Sequence, residues 1–175
     1  MSSAAPHPSR NARRSHRAAV LAALACAIAP SAALAGTDTD TFQVTATVIA
    51  SCEVSAQDLD FGDYDPVSAS HLDAATTLSV TCTNGTPYDV GLSLGGGAGA
   101  TTAARLMENG GDTLTYTLYQ NAGRTTLWGD DVGNDTVSGV GTGAAADIDV
   151  FGRVPMSQAA PAGAYQDTIV VTVTW

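Results

Sequence analysis

The segment from Thr41 to Ile49 alternates between two kinds of side chain over its first eight residues. One parity carries three threonines and a glutamine, and the other carries Phe42, Val44, Ala46 and Val48. A period of two over eight residues, in a segment rich in Thr and Val, predicts a β-strand with one buried face. Such a strand either pairs within its own domain or fits a groove on another copy of the protein.

The position of this strand is unusual, because it directly follows a candidate secretion signal, residues 1–35. A charged segment precedes the apolar run 18–29, which is too short to span a membrane, and Ala33-Leu34-Ala35 fits the small-x-small rule for cleavage. The charged residues are Arg10, Arg13, Arg14 and Arg17. A free end behind a cleaved signal is usually disordered unless something holds it. We therefore expect general secretion, and a partner for the strand that follows.

The charge of the mature chain, 36–175, excludes two classes of partner. It holds all seventeen acidic residues but only three of the seven basic ones, so its net charge is about −14. The three are Arg105, Arg124 and Arg153. A surface of this sign repels nucleic acid and anionic lipid. We expect one domain with no nucleic-acid partner and no membrane insertion.

Two cysteines remain after the signal, Cys52 and Cys82. An even pair in an oxidising compartment predicts a disulfide. A metal site or a redox pair is the alternative, but the CxxC spacing and further ligands for it are missing. Leu78, Val80 and Cys82 share a parity, which places the bond on the core face of a strand.

Short alternating segments separated by turn signals continue along the chain. Asn109-Gly110, between two apolar segments, is a strong hairpin signal. In 58–62, Leu59 and Phe61 share the inward parity. Other alternating segments are 88–94, 105–108, 112–119 and 148–156. Short strands with frequent turns and no helical period predict an all-β sandwich.

The final segment, 167–175, has one apolar face made by Ile169, Val171, Val173 and Trp175. An Ig-like sandwich normally closes with another strand at this edge. The sequence offers no candidate after Trp175. We therefore expect an incomplete Ig-like sandwich.

Several stretches resemble the spore coat protein U domain, the family of the archaic chaperone–usher pilus subunits. The likeness covers essentially the whole mature chain in the expected order, with a mild departure in the loop 120–123. The matching stretches are 59–66, 82–88, 114–119, Arg124 with Trp128-Gly129-Asp130, and 163–168.

The resemblance implies a six-stranded, incomplete Ig-like pilin fold that lacks its last strand. A periplasmic pilus chaperone fills the gap, and an outer-membrane usher exchanges it for the N-terminal extension of the next identical subunit. It divides the chain into a signal peptide (1–35), a donor-strand extension (36–49) and a spore coat U domain (50–175). The donor face is Phe42, Val44, Ala46 and Val48, and the acceptor edge is Ile169, Val171, Val173 and Trp175.

The function implied is that of a polymerising subunit of a surface filament, exported through the periplasm, for adhesion and biofilm formation. The alternatives are a secreted spore or cell coat component and a single-domain glycan-binding adhesin. A tip adhesin is expected to carry a second domain and to have no use for a donor strand, which favours the polymerising subunit.

Two other kinds of chemistry are weaker. Four aspartates suggest calcium, but their spacing misses the EF-hand pattern. They are Asp58, Asp60, Asp63 and Asp65. The segment 133–141 resembles one calcium-binding nonapeptide repeat, and a single copy cannot stack into a β-helix. His71, the one histidine of the mature chain, has no nucleophile motif nearby. We expect no metal site, no cofactor, no catalytic residues and no enzyme activity.

Overall fold

A computed structural model describes residues 35–175, so the signal peptide predicted over 1–35 lies outside the described residues except for Ala35. Residues up to Val44 form one unit, and Thr45–Trp175 form a second. In the described part of the first unit, residues 35–44 are exposed and belong to no strand. Among the described residues, no helix has the length and apolar character needed to cross a membrane.

The second unit is built from eight strands in two antiparallel sheets, which confirms the predicted all-β sandwich. The resemblance implied six strands, two fewer than the structure has. The larger sheet has the order β1-β2-β7-β5-β4, and the smaller has the order β6-β3-β8. The strands are β1 (Cys52–Ala56), β2 (Leu72–Cys82), β3 (Pro87–Leu92), β4 (Arg105–Asn109), β5 (Asp112–Tyr119), β6 (Val137–Val140), β7 (Ala145–Val154) and β8 (Val171–Thr174).

The core follows from the alternation along these strands. β2 and β7 pair over their length, from Leu72 opposite Val154 to Thr81 opposite Ala145. Because successive side chains point to opposite faces, alternate residues of each strand enter the space between the sheets. The buried apolar residues are Leu78, Val80, Cys82, Tyr88, Val90, Leu92, Leu114, Tyr116, Leu118, Trp128, Val150 and Val154.

The hairpin predicted at Asn109-Gly110 is present, but its turn is displaced by one residue. Asn109 pairs with Asp112, so the two-residue loop is Gly110-Gly111. Both glycines have positive φ, at 59° and 109°. Two-residue hairpin loops of the favoured type need positive φ at both positions, which two glycines adopt without steric cost.

The alternating segment 58–62 forms no strand. Leu59 and Phe61 nevertheless turn inward and are half-buried, as their parity predicts. The backbone hydrogen bonds between this part of the chain and β2 end with the bond from the Gln57 amide to the Thr77 carbonyl. Gly62 then turns the chain, with a φ of 71°. The parity was therefore informative about burial, while the strand assignment was wrong.

Candidate strand-binding groove

Two strand edges meet on one side of the sandwich. β1 is the edge strand of the larger sheet and β8 is the edge strand of the smaller sheet, and the two lie beside each other. Within residues 35–175, β1 pairs only with β2, and β8 pairs only with β3. Each strand therefore presents a row of backbone N–H and C=O groups without a strand partner, which is the arrangement that accepts an added strand.

A groove of about 400 Å³ lies on this side of the sandwich, where β1 ends at Ala56 and β8 begins at Val171. One bank is formed by residues 56–61 and the other by residues 165–171. The floor is apolar and comes from both sheets: Leu78, Leu92, Leu118 and Val150. Because the floor is the core itself, an apolar side chain that enters the groove extends the core rather than covering its surface.

The groove continues past residue 61 into a second cavity of about 790 Å³, with banks formed by residues 59–66 and 160–165. Leu59 and Phe61 line both cavities and mark the place where they meet. The Phe61 ring packs edge-on against Tyr116, with 6.1 Å between ring centroids.

Gly152 makes room for these two side chains. A Cβ atom at Gly152 would lie 2.6 Å from the Phe61 ring and 2.7 Å from Leu59, closer than unbonded carbon atoms approach. The glycine on β7 therefore lets the segment after β1 insert its side chains into the core, which keeps that segment in place as a bank of the groove.

Ile169 and Val171 of the predicted acceptor edge line the opposite bank, whereas Val173 and Trp175 lie beyond the residues that line the groove. Ile169, Val171 and Val173 are half-buried and point into the sandwich, whereas Trp175 is 57% exposed. Val170 points outward and is 59% exposed. The four predicted residues share one parity, as expected, but Trp175 keeps much of its indole in solvent.

A carboxylate fixes the start of this bank. Gln166 pairs with Glu108 of β4, and four residues later the Ser93 amide donates to the Val170 carbonyl, so the chain passes from one sheet to the other around Asp167. Oδ1 of Asp167 accepts hydrogen bonds from the amides of Gly96 (2.8 Å) and Thr168 (2.7 Å). Oδ2 accepts one from the Tyr116 hydroxyl at 2.6 Å.

The Tyr116 phenol stays protonated because of this setting. Burial, together with the hydrogen bond to Asp167, raises the pKa of Tyr116 well above its ordinary value. The hydroxyl therefore remains protonated at neutral pH and donates this hydrogen bond.

Sequence reasoning missed the side chain that joins β3 to β4 behind the groove. Arg105 is fully buried, and its guanidinium donates to the carbonyls of Leu92 (3.1 Å), Ser93 (2.9 Å) and Trp128 (2.6 Å). Burial lowers the pKa of Arg105 from its ordinary value. Trp128 in turn donates its indole N–H to Val90 at 2.8 Å. A lone arginine at the start of an apolar alternating segment was the available signal.

The predicted disulfide is confirmed. Cys52 and Cys82 are bonded and stand opposite each other in the β1–β2 register. Cys82 is buried and Cys52 is half-buried. The bond ties the start of β1 to the neighbouring strand, just where the N-terminal segment joins the domain.

The predicted donor segment lies outside every strand. Phe42 and Val44 fall in the first unit, and Ala46 and Val48 fall in the second. All four side chains are exposed. Exposed phenylalanine and valine on a strictly alternating segment are unusual for a soluble domain and are suited to a partner's groove.

The residues considered for other chemistry have local structural roles. Asp60 accepts from the Gly62 amide and Asp65 from the Val67 amide, so both stabilise turns. Nδ1 of His71 accepts from the Met156 amide at 3.1 Å. Within the described part of the chain, no three His, Cys, Asp or Glu side chains are grouped so that they could hold a metal ion.

Comparisons with known proteins agree with this architecture. The family model of the Spore Coat Protein U domain matches residues 38–172. Protein U of Myxococcus xanthus is 38% identical over 94% of this chain and 99% of its own length. The crystal structure of the CsuC–CsuE chaperone–tip adhesion subunit pre-assembly complex, from archaic chaperone–usher Csu pili of Acinetobacter baumannii, is similar in fold, with a TM-score of 0.56.

The sequence identity to the Acinetobacter structure is 24%, so this similarity concerns the fold alone. It covers 74% of this chain and only 40% of that one. The family match covers most of the present chain, and the family indicates a structural rather than an enzymatic protein. This chain belongs to the Spore Coat Protein U domain family.

Proposed function

We propose that the protein is a structural subunit of a secreted surface filament of the archaic chaperone–usher type. In this filament, Thr41–Ile49 of one copy fills the groove of the next copy. The observation that supports this most directly is the apolar groove where β1 ends and β8 begins, since each of these strands has one edge without a strand partner among residues 35–175.

The proposed donor segment matches this groove in length and chemistry. Its alternating part, Thr41–Val48, has eight residues and would span roughly 26 Å when extended, about the length of a small sandwich. The main chain of the segment would pair with the edge of β8, and its apolar side chains would pack against the core. Burial of Phe42, Val44 and Val48 would contribute about 5–8 kcal/mol before the cost of ordering the segment.

Before assembly the groove needs temporary cover. Unpaired strand edges and an open apolar groove favour aggregation. A periplasmic pilus chaperone would cover the groove, and an outer-membrane usher would exchange it for the donor segment of the next subunit. The description of the similar Acinetobacter structure as a chaperone–subunit complex supports the chaperone as a partner.

The filament would lie on the cell surface, with adhesion and biofilm formation as its role. A second candidate is a secreted coat component, supported by the family's name and by the resemblance to Protein U. Immunogold labelling distinguishes the two, because a pilus gives labelled fibres that project from the cell and a coat gives an even layer.

A third candidate is a single-domain glycan-binding adhesin, and binding to a glycan array tests it.

The polymerisation step is tested by two substitutions on opposite parities of the donor segment. The protein is co-expressed with its chaperone and usher as wild type, Val44→Asp or Thr45→Asp. Val44→Asp would place a charge in the groove, so chaperone-bound subunits should form normally and fibres should be absent by electron microscopy. Thr45→Asp, on the outward parity, should still give fibres.

Two results would contradict the proposal. Wild-type protein that stays monomeric under these conditions would exclude a polymerising subunit. Loss of the chaperone-bound subunit in Val44→Asp would mean that residue 44 belongs to the core of its own domain.

A further inference from the structure

The course of the chain just before β1 is held by the side chain of Thr83. The Ser51 amide donates to the Thr83 hydroxyl at 3.1 Å, and the Thr83 amide donates to the Ser51 carbonyl at 2.9 Å. The same hydroxyl lies 3.3 Å from the carbonyl oxygens of Ile49 and Ser51 and can donate its proton to either. Cys52, the next residue, is bonded to Cys82. The Thr83 hydroxyl and the disulfide therefore hold residues 49–51 at the start of β1.

This course matters because a different one would bring the donor segment into its own groove. Ala56 of β1 lines the groove, and only residues 49–51 lie between Val48 and β1. A three-residue hairpin loop can join antiparallel strands. Such a loop at 49–51 would set Val48 opposite Cys52, so the apolar parity of residues 41–48 would face inward along the free edge of β1 in the same molecule.

Self-insertion would compete strongly with insertion into a partner. A tethered segment has an effective concentration in the millimolar range, far above the concentration of free subunits in most settings. A chain meant to polymerise therefore needs a feature that disfavours its own hairpin.

The structure has two such features. Three-residue hairpin loops need positive φ at their last position, which suits Gly, Asn and Asp. Among the described non-glycine residues, positive φ occurs only at Arg124 and Ser157, so none of residues 49–51 has it. In addition, both backbone polar groups of Ser51 are bonded to Thr83, and the loop would break these bonds.

We propose that Thr83 is a positioning residue that keeps residues 41–49 out of the groove of their own subunit and leaves them available to a second copy. This inference rests on the proposed function and deepens it, because it assigns the choice between a closed monomer and a polymer to one side chain. Thr83 sits in neither the donor face nor the groove lining.

The test compares substitutions on β2 and immediately after it. The full exported chain is unfolded with its disulfide intact and refolded at one fixed concentration, and the monomer-to-polymer ratio is measured by size-exclusion chromatography with light scattering. Thr83→Val keeps the shape of the side chain but removes its hydroxyl, and should raise the ratio about tenfold. Thr83→Ser keeps the hydroxyl and should behave as wild type.

Thr81→Val is the matched control. Thr81 is exposed on the outer face of β2, two residues before Thr83, and its hydroxyl makes no hydrogen bond within residues 35–175. This variant loses a threonine hydroxyl without touching residues 49–51, so its monomer-to-polymer ratio should stay at the wild-type value.

A second variant leaves Thr83 in place. Four Gly/Ser residues inserted between Ile49 and Ala50 let the donor segment fold back without disturbing Ser51, so monomers should again increase. A fluorescent peptide of residues 40–50 reports whether the groove is free. Monomers of both variants should exclude the peptide, since their own segment occupies the groove.

The possible results separate the two hypotheses. The inference is overturned if Thr83→Val polymerises as wild type does. It is also overturned if the monomers of either variant bind the peptide, because the groove would then be empty. Wild type that neither polymerises nor binds the peptide would instead overturn the proposed function. Wild type that polymerises alongside unaffected variants would overturn this inference alone.

Discussion

The Tyr116 hydroxyl donates a hydrogen bond of 2.6 Å to Oδ2 of Asp167. Tyr116 is on β5, in the floor of the groove, and Asp167 lies where the chain leaves the larger sheet for β8. One bond therefore links the floor to the bank that carries the predicted acceptor residues. Since the other carboxylate oxygen holds two backbone amides, the bank is held in place within the subunit itself, which would lower the ordering cost of the proposed strand binding.

Tyr116→Phe should weaken the fold at neutral pH. The substitution removes the hydroxyl that donates to the Asp167 carboxylate and leaves the half-buried Oδ2 atom without this hydrogen bond. We therefore expect the free energy of unfolding to fall by about 1.5–3 kcal/mol. Urea denaturation measures this. Tyr119→Phe is the control, since the Tyr119 hydroxyl makes no hydrogen bond within residues 35–175 and its loss should change little. Equal, small losses in both variants would contradict the role assigned to the bond.

The same residue predicts a dependence on alkaline pH. The pKa of Tyr116 is raised in the folded state, so above the unfolded value of about 10 the unfolded chain releases a proton that the folded chain keeps. The stability contributed by Tyr116 is thus complete below pH 10 and declines above it, by about 1.4 kcal/mol per pH unit. The stability difference between wild type and Tyr116→Phe should narrow from pH 10 to 11. A constant difference would mean that the phenol titrates normally.

Removal of the disulfide should weaken the attachment of β1 to β2 and destabilise the fold. We expect Cys82→Ser to cost roughly 2–5 kcal/mol, because the Cys52–Cys82 bond limits the unfolded chain and joins β1 to β2. Thermal unfolding of the exported protein measures the loss. Cys52→Ser and the double variant should lose similar amounts, since each removes the same bond. Mass spectrometry that finds both thiols free in the exported wild type would contradict the pairing.

Alternation predicted the parts of the fold that depend on local sequence. Which face of β2 or β5 is buried follows from a period of two, so Leu78, Val80 and Cys82 were assigned correctly. The hairpin was likewise found from its glycines, although its loop lies one residue further along. In 58–62 the pattern identified the inward residues and missed that the segment has no strand partner.

Contacts between distant segments could not be predicted in this way. Arg105 meets carbonyls 12, 13 and 23 positions away. The Gln158 side chain, far along the chain, donates to and accepts from the backbone of Thr115 as a strand residue would. Gly152 is needed only because Leu59 and Phe61 pack on it. Each depends on which segments become neighbours, and a single sequence contains no local signal for that.

The final prediction tests the topology of the groove. If an added strand belongs beside β8, a copy of Thr41–Ile49 joined after Trp175 by a short flexible turn should fold back as an antiparallel strand. Hairpin loops of 2–5 residues are long enough for this connection. The tether makes the pairing intramolecular, so the added strand should outcompete other subunits.

The variant carries this added strand and lacks residues 36–49, so that it cannot donate to a partner. We expect a soluble monomer that unfolds cooperatively without a chaperone, because the added strand supplies ladder hydrogen bonds to β8 and apolar side chains to the groove. The same truncation without the added strand should aggregate or melt far lower, and a third version with Asp in place of the added valine that corresponds to Val44 should resemble it. Calorimetry and size-exclusion chromatography compare the three. Equal melting temperatures with and without the added strand would mean that the sandwich is already complete, and strand donation would then be excluded.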